Sequence, residues 1–414
     1  MGTTSATAST AAPRRTRPKD RKQRIAMAAA TLFSERGYHQ VSLGEVAAEV
    51  GISAPALYRH FPNKYALFLD AAERLVHGLL EVTEPFAGGE GPAVDAASTD
   101  PARTDPAGAD YDALVHALVE ATIDNRRTGG LYRWEGRYLH PDDRRRLGGD
   151  FAELGARVRR AVQRMRPGLG EDDARMIAAA ALSVVASITS HHASLGRRQL
   201  AELLGDSARD VADARLPAPA GSAAPDTPGV PPASKRELIV REGLRLFQQR
   251  GYHETSIEEL SAAVGLTQSG FYRHFASKSE LLLEACVRAA ERLGATTADA
   301  LEGAAGPAEA LDRLIDGYIA HSFTHHELMS VYFSDIGALP GDEQERLRGI
   351  QRRHVDEWVG LLRAVHPDLT AQAARFRVHA GLNVVVDLGR LVHFDDAPAT
   401  RARVACLVRA ALGR

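Results

Sequence analysis

The chain has 414 residues, 44% of them hydrophobic and 25% charged, with a formal net charge of −2 at pH 7. This suits two to four ordinary globular domains. It holds no uninterrupted apolar run of the roughly 18 residues that span a bilayer, and two cysteines, Cys286 and Cys406, are too few for a disulfide framework.

The average charge hides its distribution. Residues 13–64 carry ten Lys/Arg against four Asp/Glu, and residues 231–278 carry seven against five. Only five of the 51 basic residues are lysines, which makes the position of each lysine informative. Residues 1–20 run from a Thr/Ala/Ser tail into PRRTRPKDRK; with no apolar core before the charges they are not a secretory signal. They are expected to be a disordered basic arm in which Arg14, Arg15 and Arg17 reach into a minor groove.

A first helix follows, with Ile25, Ala29, Leu32 and Phe33 on one face, stopped at Gly37-Tyr38. Ser42 with Glu45 forms a capping box at the start of a second helix. Gly51 makes a sharp turn, and Ser53 caps a short third helix, 54–60. Lys64 then stands in the first turn of a fourth helix, behind the N-cap Asn63. The helix dipole disfavours a cation there, whereas a phosphate would be welcomed by both the lysine and the free amides.

The helical pattern continues through 78–214, broken by a Gly/Pro/Asp/Ala-rich loop at 84–110. Its candidate ligand-facing residues are Tyr132, Trp134 and Tyr138. Its apolar stretch 176–189 is Ala- and Ser-rich, as a close-packed helix requires. A Pro/Ala linker, 215–234, marks the clearest boundary; its last 19 residues, extended as polyproline, reach up to roughly 60 Å.

After the linker the pattern begins again. Residues 21–71 realign with 235–285 at a constant offset of 214, with 20 identities in 51 positions and no gap. The second copy has Ile239, Gly243, Leu246 and Phe247 on its first helix, then Gly251-Tyr252, and a capping box of Ser256 and Glu259. Gly265, Thr267, a third helix over 268–274, and Lys278 complete it. Two of the five lysines therefore sit at one repeated position. Downstream, 131–190 matches 331–390 more weakly at an offset of 200, through Tyr132/Tyr332, Leu139/Leu339, Leu147/Leu347 and Pro167/Pro367. The whole half is duplicated, with about 14 extra residues in the first half at its loop. In the second half, 286–414, the candidate ligand-facing residues are Tyr332, Phe333 and Trp358. His321, His325 and His326 bring two imidazoles onto one helix face but lack a third ligand, as does His191-His192, so no metal is expected.

The repeated segment, A-x-x-L-F-x-x-R-G-Y-x-x-x-S-[LI]-x-E followed by G-[IL]-[ST]-x-x-x-[LF]-Y-R-H-F-x-x-K-x-x-L, resembles the DNA-binding domain of TetR/AcrR-family transcriptional regulators, seen twice. The resemblance implies phosphate contacts from Ser42, Tyr58, His60 and Lys64, and from Ser256, Tyr272, His274 and Lys278. It places Ala54, Pro55 and Arg59, and Gln268, Ser269 and Arg273, towards bases or groove. It also implies a helical ligand-binding and dimerisation domain after each reader. The expected architecture is all-α: an arm (1–20), reader one (21–77), effector domain one (78–214), linker (215–234), reader two (235–285) and effector domain two (286–414), folded as an intramolecular pseudo-dimer.

The function this implies is that of a cytoplasmic, nucleoid-associated bacterial repressor that docks on double-stranded operator DNA and is released by a small-molecule effector. A weak likeness of 131–139 to acyl-responsive family members names an acyl ligand class. An activator of the same family is one alternative. A nonspecific architectural DNA binder is another, and would show steep salt dependence without a preferred site. No membrane partner and no cofactor are expected, and a homodimer with four readers is the rival assembly. No P-loop, G-x-G-x-x-G after a strand, H-E-x-x-H or nucleophile elbow points to an enzyme.

Overall fold

The computed structural model describes residues 18–88, 106–128, 131, 135–219 and 233–414. It is 78% helical, with no strand among the described residues. The chain divides into two compact units after Ala71.

The first unit holds α1 (Pro18–Arg36), α2 (Leu43–Glu49), α3 (Ala54–Tyr58) and the opening turns of α4 (Lys64–Thr83). Ile25, Ala29, Phe33, Val46, Leu57 and Phe68 are almost fully buried, each larger side chain contributing about 1.5–3 kcal/mol of burial. Phe33 meets Tyr38 and Phe68 edge-on, at 5.5 and 6.1 Å between ring centres. Helix α1 starts at Pro18, inside the stretch expected to be a disordered arm, because proline's fixed φ suits a first helical position. Lys22 belongs to this helix and pairs with Asp70 at 2.9 Å. Arg14, Arg15 and Arg17 lie outside the described residues.

In the second unit, half one contributes α5 (Pro106–Asp124), α6 (Pro141–Met165), α7 (Glu171–Ala186) and α8 (Arg197–Asp213). The expected loop 84–110 is shorter than its composition implied. Residues Glu84–Phe86 form a 3-10 turn that buries Phe86, and Pro106 already opens α5. Tyr111 on α5 is fully buried and donates to the Ala208 carbonyl at 2.9 Å, which docks α5 on α8. Residues 89–105 lie outside the described residues.

Half two follows as α9 (Lys235–Arg250), α10 (Ile257–Ala263), α11 (Gln268–Tyr272), α12 (Lys278–Leu301), α13 (Pro307–Thr324), α14 (His326–Ser334), α15 (Gly341–Val365), α16 (Ala371–Leu391) and α17 (Pro398–Ala411). Reader two packs directly on its effector helices through α9 against α14.

The two halves meet where α7 lies on α16, flanked by α8 on α17. Ala180, Ala181 and Val184 on one side, and Ala380, Val384 and Val385 on the other, are buried; small side chains let the helices approach closely. The polar groups in this seam are paired between halves. Ser183 donates to Asp387 at 2.7 Å, Asn383 donates to the Ser190 hydroxyl at 2.9 Å, and the buried Arg403 pairs with Asp173. Arg403 also donates to the Pro217 carbonyl at 3.1 Å, which fastens the start of the linker to α17. Residues Glu171–Ser190 are apolar and long enough, by length and composition, to cross a membrane, but most of the segment is buried inside the protein. That run is longer than the 176–189 stretch seen in the sequence. Helix α7 ends at Ala186 with one 3-10 turn beyond it, where Arg126 donates to the carbonyls of Ile188, His191 and Ala193.

Candidate nucleic-acid interface

Each reader turns on one capped helix and one glycine. Ser42 accepts from the Glu45 amide at 3.2 Å, while its own N–H donates to the Glu45 carboxylate at 2.8 Å. Ser256 and Glu259 repeat this at 3.1 and 2.8 Å. These reciprocal bonds satisfy amides that a helix start leaves orphaned, and they hold the Glu45 carboxyl down at about 2. Gly51 at φ +68° and Gly265 at φ +66° then adopt the left-handed backbone that the sharp turn demands.

The third helices end at Tyr58 and Tyr272, two residues earlier than the spacing implied. Arg59 and Arg273 become their C-caps, and His60 and His274 lie in the following turn. Thr267 caps the Gly270 amide at 3.2 Å, but Ser53 makes no side-chain cap. The Ala56 amide, the counterpart of that of Gly270, donates instead to the Ser53 backbone carbonyl at 2.9 Å. One face of each helix is anchored by the fully buried Leu57 or Phe271. The opposite face is presented to solvent: Tyr58 is 54% exposed and Tyr272 52%, and Pro55, Arg59, Gln268, Ser269 and Arg273 are exposed beside them. Ala54, His60 and His274 are half-buried.

The repeated lysine has a local role that the sequence did not show. The Lys278 ammonium donates to the Tyr252 and Thr255 carbonyls, each at 2.7 Å, and stands 4.4 Å above the Tyr252 ring. Burial lowers its pKa. Lys64 reaches the His39 carbonyl at 3.4 Å and lies 4.5 Å over Tyr38. Each lysine thus ties the first turn of its helix to the turn after the reader's first helix, which offsets the unfavourable dipole. Lys278→Met is therefore expected to lower the stability of the chain by about 2–3 kcal/mol, the loss of charge-assisted bonds to two carbonyls. Urea denaturation checks this, and an unchanged midpoint would remove the latch.

Of the residues expected to face ligand, Tyr132 and Trp134 lie outside the described residues. Tyr332 and Trp358 are core instead. Both are buried to about 1% or less, and the Trp358 indole meets Tyr318 edge-on at 5.7 Å and donates to His354 at 3.2 Å. Helical periodicity pointed them inward, and inward was the core. Phe333 lines a cavity of about 340 Å³. Tyr138 packs on reader two: its hydroxyl lies 2.6 Å from where a Cβ of Gly251 would stand, and Gly251 also sits at φ +88°, so only glycine fits there. Beside it, Arg137 donates to Ser334 and Asp335, both at 3.0 Å, across the two halves. Neither Arg137 nor Asp335 stood out in the sequence, where an arginine and an aspartate 198 residues apart carry no pairing signal. His321 and His325 approach to 5.0 Å, and among the described residues no group of three potential metal ligands occurs.

Residues 25–71 and 239–285 both match the family of bacterial regulatory proteins, tetR family. The chain thus carries two TetR-family DNA-binding segments in tandem. An uncharacterized HTH-type transcriptional regulator of Bacillus subtilis, YerO, is 42% identical over 52 residues, which is 13% of this chain and 18% of YerO. The HTH-type transcriptional activator FasR of Mycolicibacterium smegmatis is 39% identical over 64 residues, 15% of this chain and 29% of FasR. The chain thus spans less than a third of the length of these relatives. Among solved structures, the ketosteroid transcriptional regulator KstR2 of Mycobacterium tuberculosis aligns over 44% of this chain and 95% of its own, at 20% identity and a TM-score of 0.40.

Proposed function

We propose that this TetR-family chain is a self-contained, ligand-responsive transcriptional repressor acting on DNA in the bacterial cytoplasm. The supporting observation is the pair of readers, each with a buried anchor and an exposed third-helix face, joined by an intrachain α7–α16 seam. The readers are unequal. Ala54 and Pro55 in reader one offer only apolar contact, suited to a thymine methyl, whereas Gln268 in reader two has the amide that pairs with adenine N6 and N7. The operator therefore has two dissimilar half-sites. Effector binding shifts the population towards an arrangement in which both readers no longer dock together.

Footprinting on the DNA upstream of the chain's own reading frame should protect two half-sites of different sequence, with at least ~10³-fold preference over random DNA at one stated salt concentration. A perfect palindrome with identical contacts on both arms would sink the unequal-reader reading, and equal affinity for random DNA would sink the regulator. Light scattering should return the single-chain mass of 44.6 kDa; twice that value would make the assembly a four-reader homodimer. Relatives are described both as activators (FasR) and as repressors (KstR2 of Mycolicibacterium smegmatis), so a reporter fused to the operator reads the sign: deletion of the regulator should raise expression.

A further inference from the structure

The 340 Å³ cavity joins three parts of the chain. Reader two supplies Gln248 and Gln249 from the last turn of α9, effector domain two supplies α13, α14 and α16, and half one supplies a single side chain, Arg137. Its size is at the small end of ligand-taking pockets, and Tyr318, Met329, Phe333, Val386 and Phe394 give it an apolar and aromatic patch set among polar side chains. Arg137 is 14% exposed, and although two of its nitrogens serve Ser334 and Asp335, its Nε has no hydrogen-bond partner. Its two terminal nitrogens are held against Asp335, and the side chain as a whole still borders the cavity. Arg390 adds a second cation to the same wall.

Phe394, another residue of the cavity wall, belongs to an unusual stretch of backbone. His393 and Phe394 both adopt φ of +55°, and the Phe394 ring turns back over α16 to lie 2.6 Å from where a Cβ of Gly389 would be. His326 stacks on that ring at 4.5 Å. Consecutive left-handed non-glycine residues are strained, and such strain persists where surrounding structure imposes it, often at ligand clamps.

At the offset of 200, half one has lost this arrangement. Arg126 stands where His326 does, Thr189 replaces Gly389, Ser194 replaces Phe394, and Gly337 stands where a second Arg137 would be. Arg126 donates to three carbonyls of 187–193 and lies 5.4 Å from the Phe376 ring, folding that coil over itself.

We infer that the chain has one working effector site rather than two: the half-two cavity, which takes a compact apolar monocarboxylate whose anionic group is received by Arg137 of half one. Half one supplies the charge, half two the apolar wall, and reader two the floor that senses occupancy. This rests on the regulator reading above and deepens it.

Isothermal titration calorimetry of the full chain tests it with paired probes, 2-naphthoate against 2-naphthamide and octanoate against octanamide. At least one carboxylate should bind with a stoichiometry of one per chain, and at least tenfold more tightly than its uncharged amide. Arg137→Gln with Asp335→Asn, which leaves no unpaired buried charge, should abolish the preference for the carboxylate. Ser330→Phe, at a half-buried wall position, should remove binding of both members of the pair. Two sites per chain, equal affinity for acid and amide, retained preference in the Arg137 variant, or no binding by any probe would each overturn the inference. DNA affinity of the unliganded chain is read separately. A chain that binds its operator but no carboxylate loses only the site, and one that binds carboxylate but no DNA loses the regulator.

Discussion

Disabling one reader while leaving the other intact should reduce operator affinity by about 10²–10⁴-fold, the loss expected when a second docking event stops being intramolecular. Tyr58→Ala with Arg59→Glu removes reader one, and Tyr272→Ala with Arg273→Glu removes reader two. All four side chains are exposed, so each pair should leave the fold within about 0.5 kcal/mol of the parent, because the anchors Leu57 and Phe271 are untouched. The two variants should also differ from each other. Footprints should lose opposite half-sites, and only the reader-two variant should lose discrimination at an adenine, since Gln268 is the one base-facing group with a bidentate amide. Fluorescence anisotropy at fixed salt measures the affinities. A loss smaller than tenfold in either variant would mean that one reader alone carries binding.

Acidification should destabilise the chain well above the range in which carboxylates titrate. His191 and His379 stack at 4.0 Å across the halves. Burial, and then the neighbouring charges, push His191 down to about 2 and His379 to about 4; Arg126 and Arg375 bear on both rings, and His192 and His379 also on His191. Burial alone takes His354, behind Trp358, to about 4. Because the folded values lie below the unfolded value of 6.5, the unfolded chain takes up protons first. Stability is therefore complete above about pH 6.5 and falls as pH drops towards 4. Each ring contributes up to ~1.4 kcal/mol per pH unit in that window, so between pH 7.5 and 5.0 the three together remove on the order of 3–6 kcal/mol. Urea midpoints at the two pH values test this. His191→Phe keeps an aromatic ring against Phe376 and His379 and should flatten the dependence by roughly a quarter, because burial also takes His321 to about 4, whereas an unchanged pH dependence would show that these rings do not report.

The readers were legible almost to the residue because their constraints are local. A capping serine needs its glutamate three positions on, a sharp turn needs glycine, and an apolar stripe needs a period of 3.6 residues. The duplication made every such signal visible twice. What escaped was non-local or a matter of degree. Pro18 started a helix inside a stretch of arm-like composition. Tyr332 and Trp358 satisfied the same periodicity whether they faced core or ligand, and only the packing around Tyr318 separates the two. Lys64 and Lys278 stood out in the sequence as candidate phosphate contacts, but the partners that the fold gives them are carbonyls about 25 residues upstream, brought close by the turn after the first helix. Arg126 and Arg137, on which the asymmetry of the effector halves depends, looked like two arginines among many.

The seam between α7 and α16 alters how mutations in this regulator should be inherited. In an ordinary homodimeric repressor, a subunit with a ruined reader still assembles with sound subunits and disables them, so a single bad copy acts dominantly. Here the partner of each half is synthesised on the same chain and held by contacts that are not interchangeable, Ser183 to Asp387 and Arg403 to Asp173. If the single chain is the whole assembly, as proposed above, a defective copy has no sound protomer to capture, and in a merodiploid cell reader mutations should behave as recessive. On the same proposal, occupancy of the operator should follow the chain concentration to the first power, with no threshold at which a dilute regulator falls apart into inactive subunits.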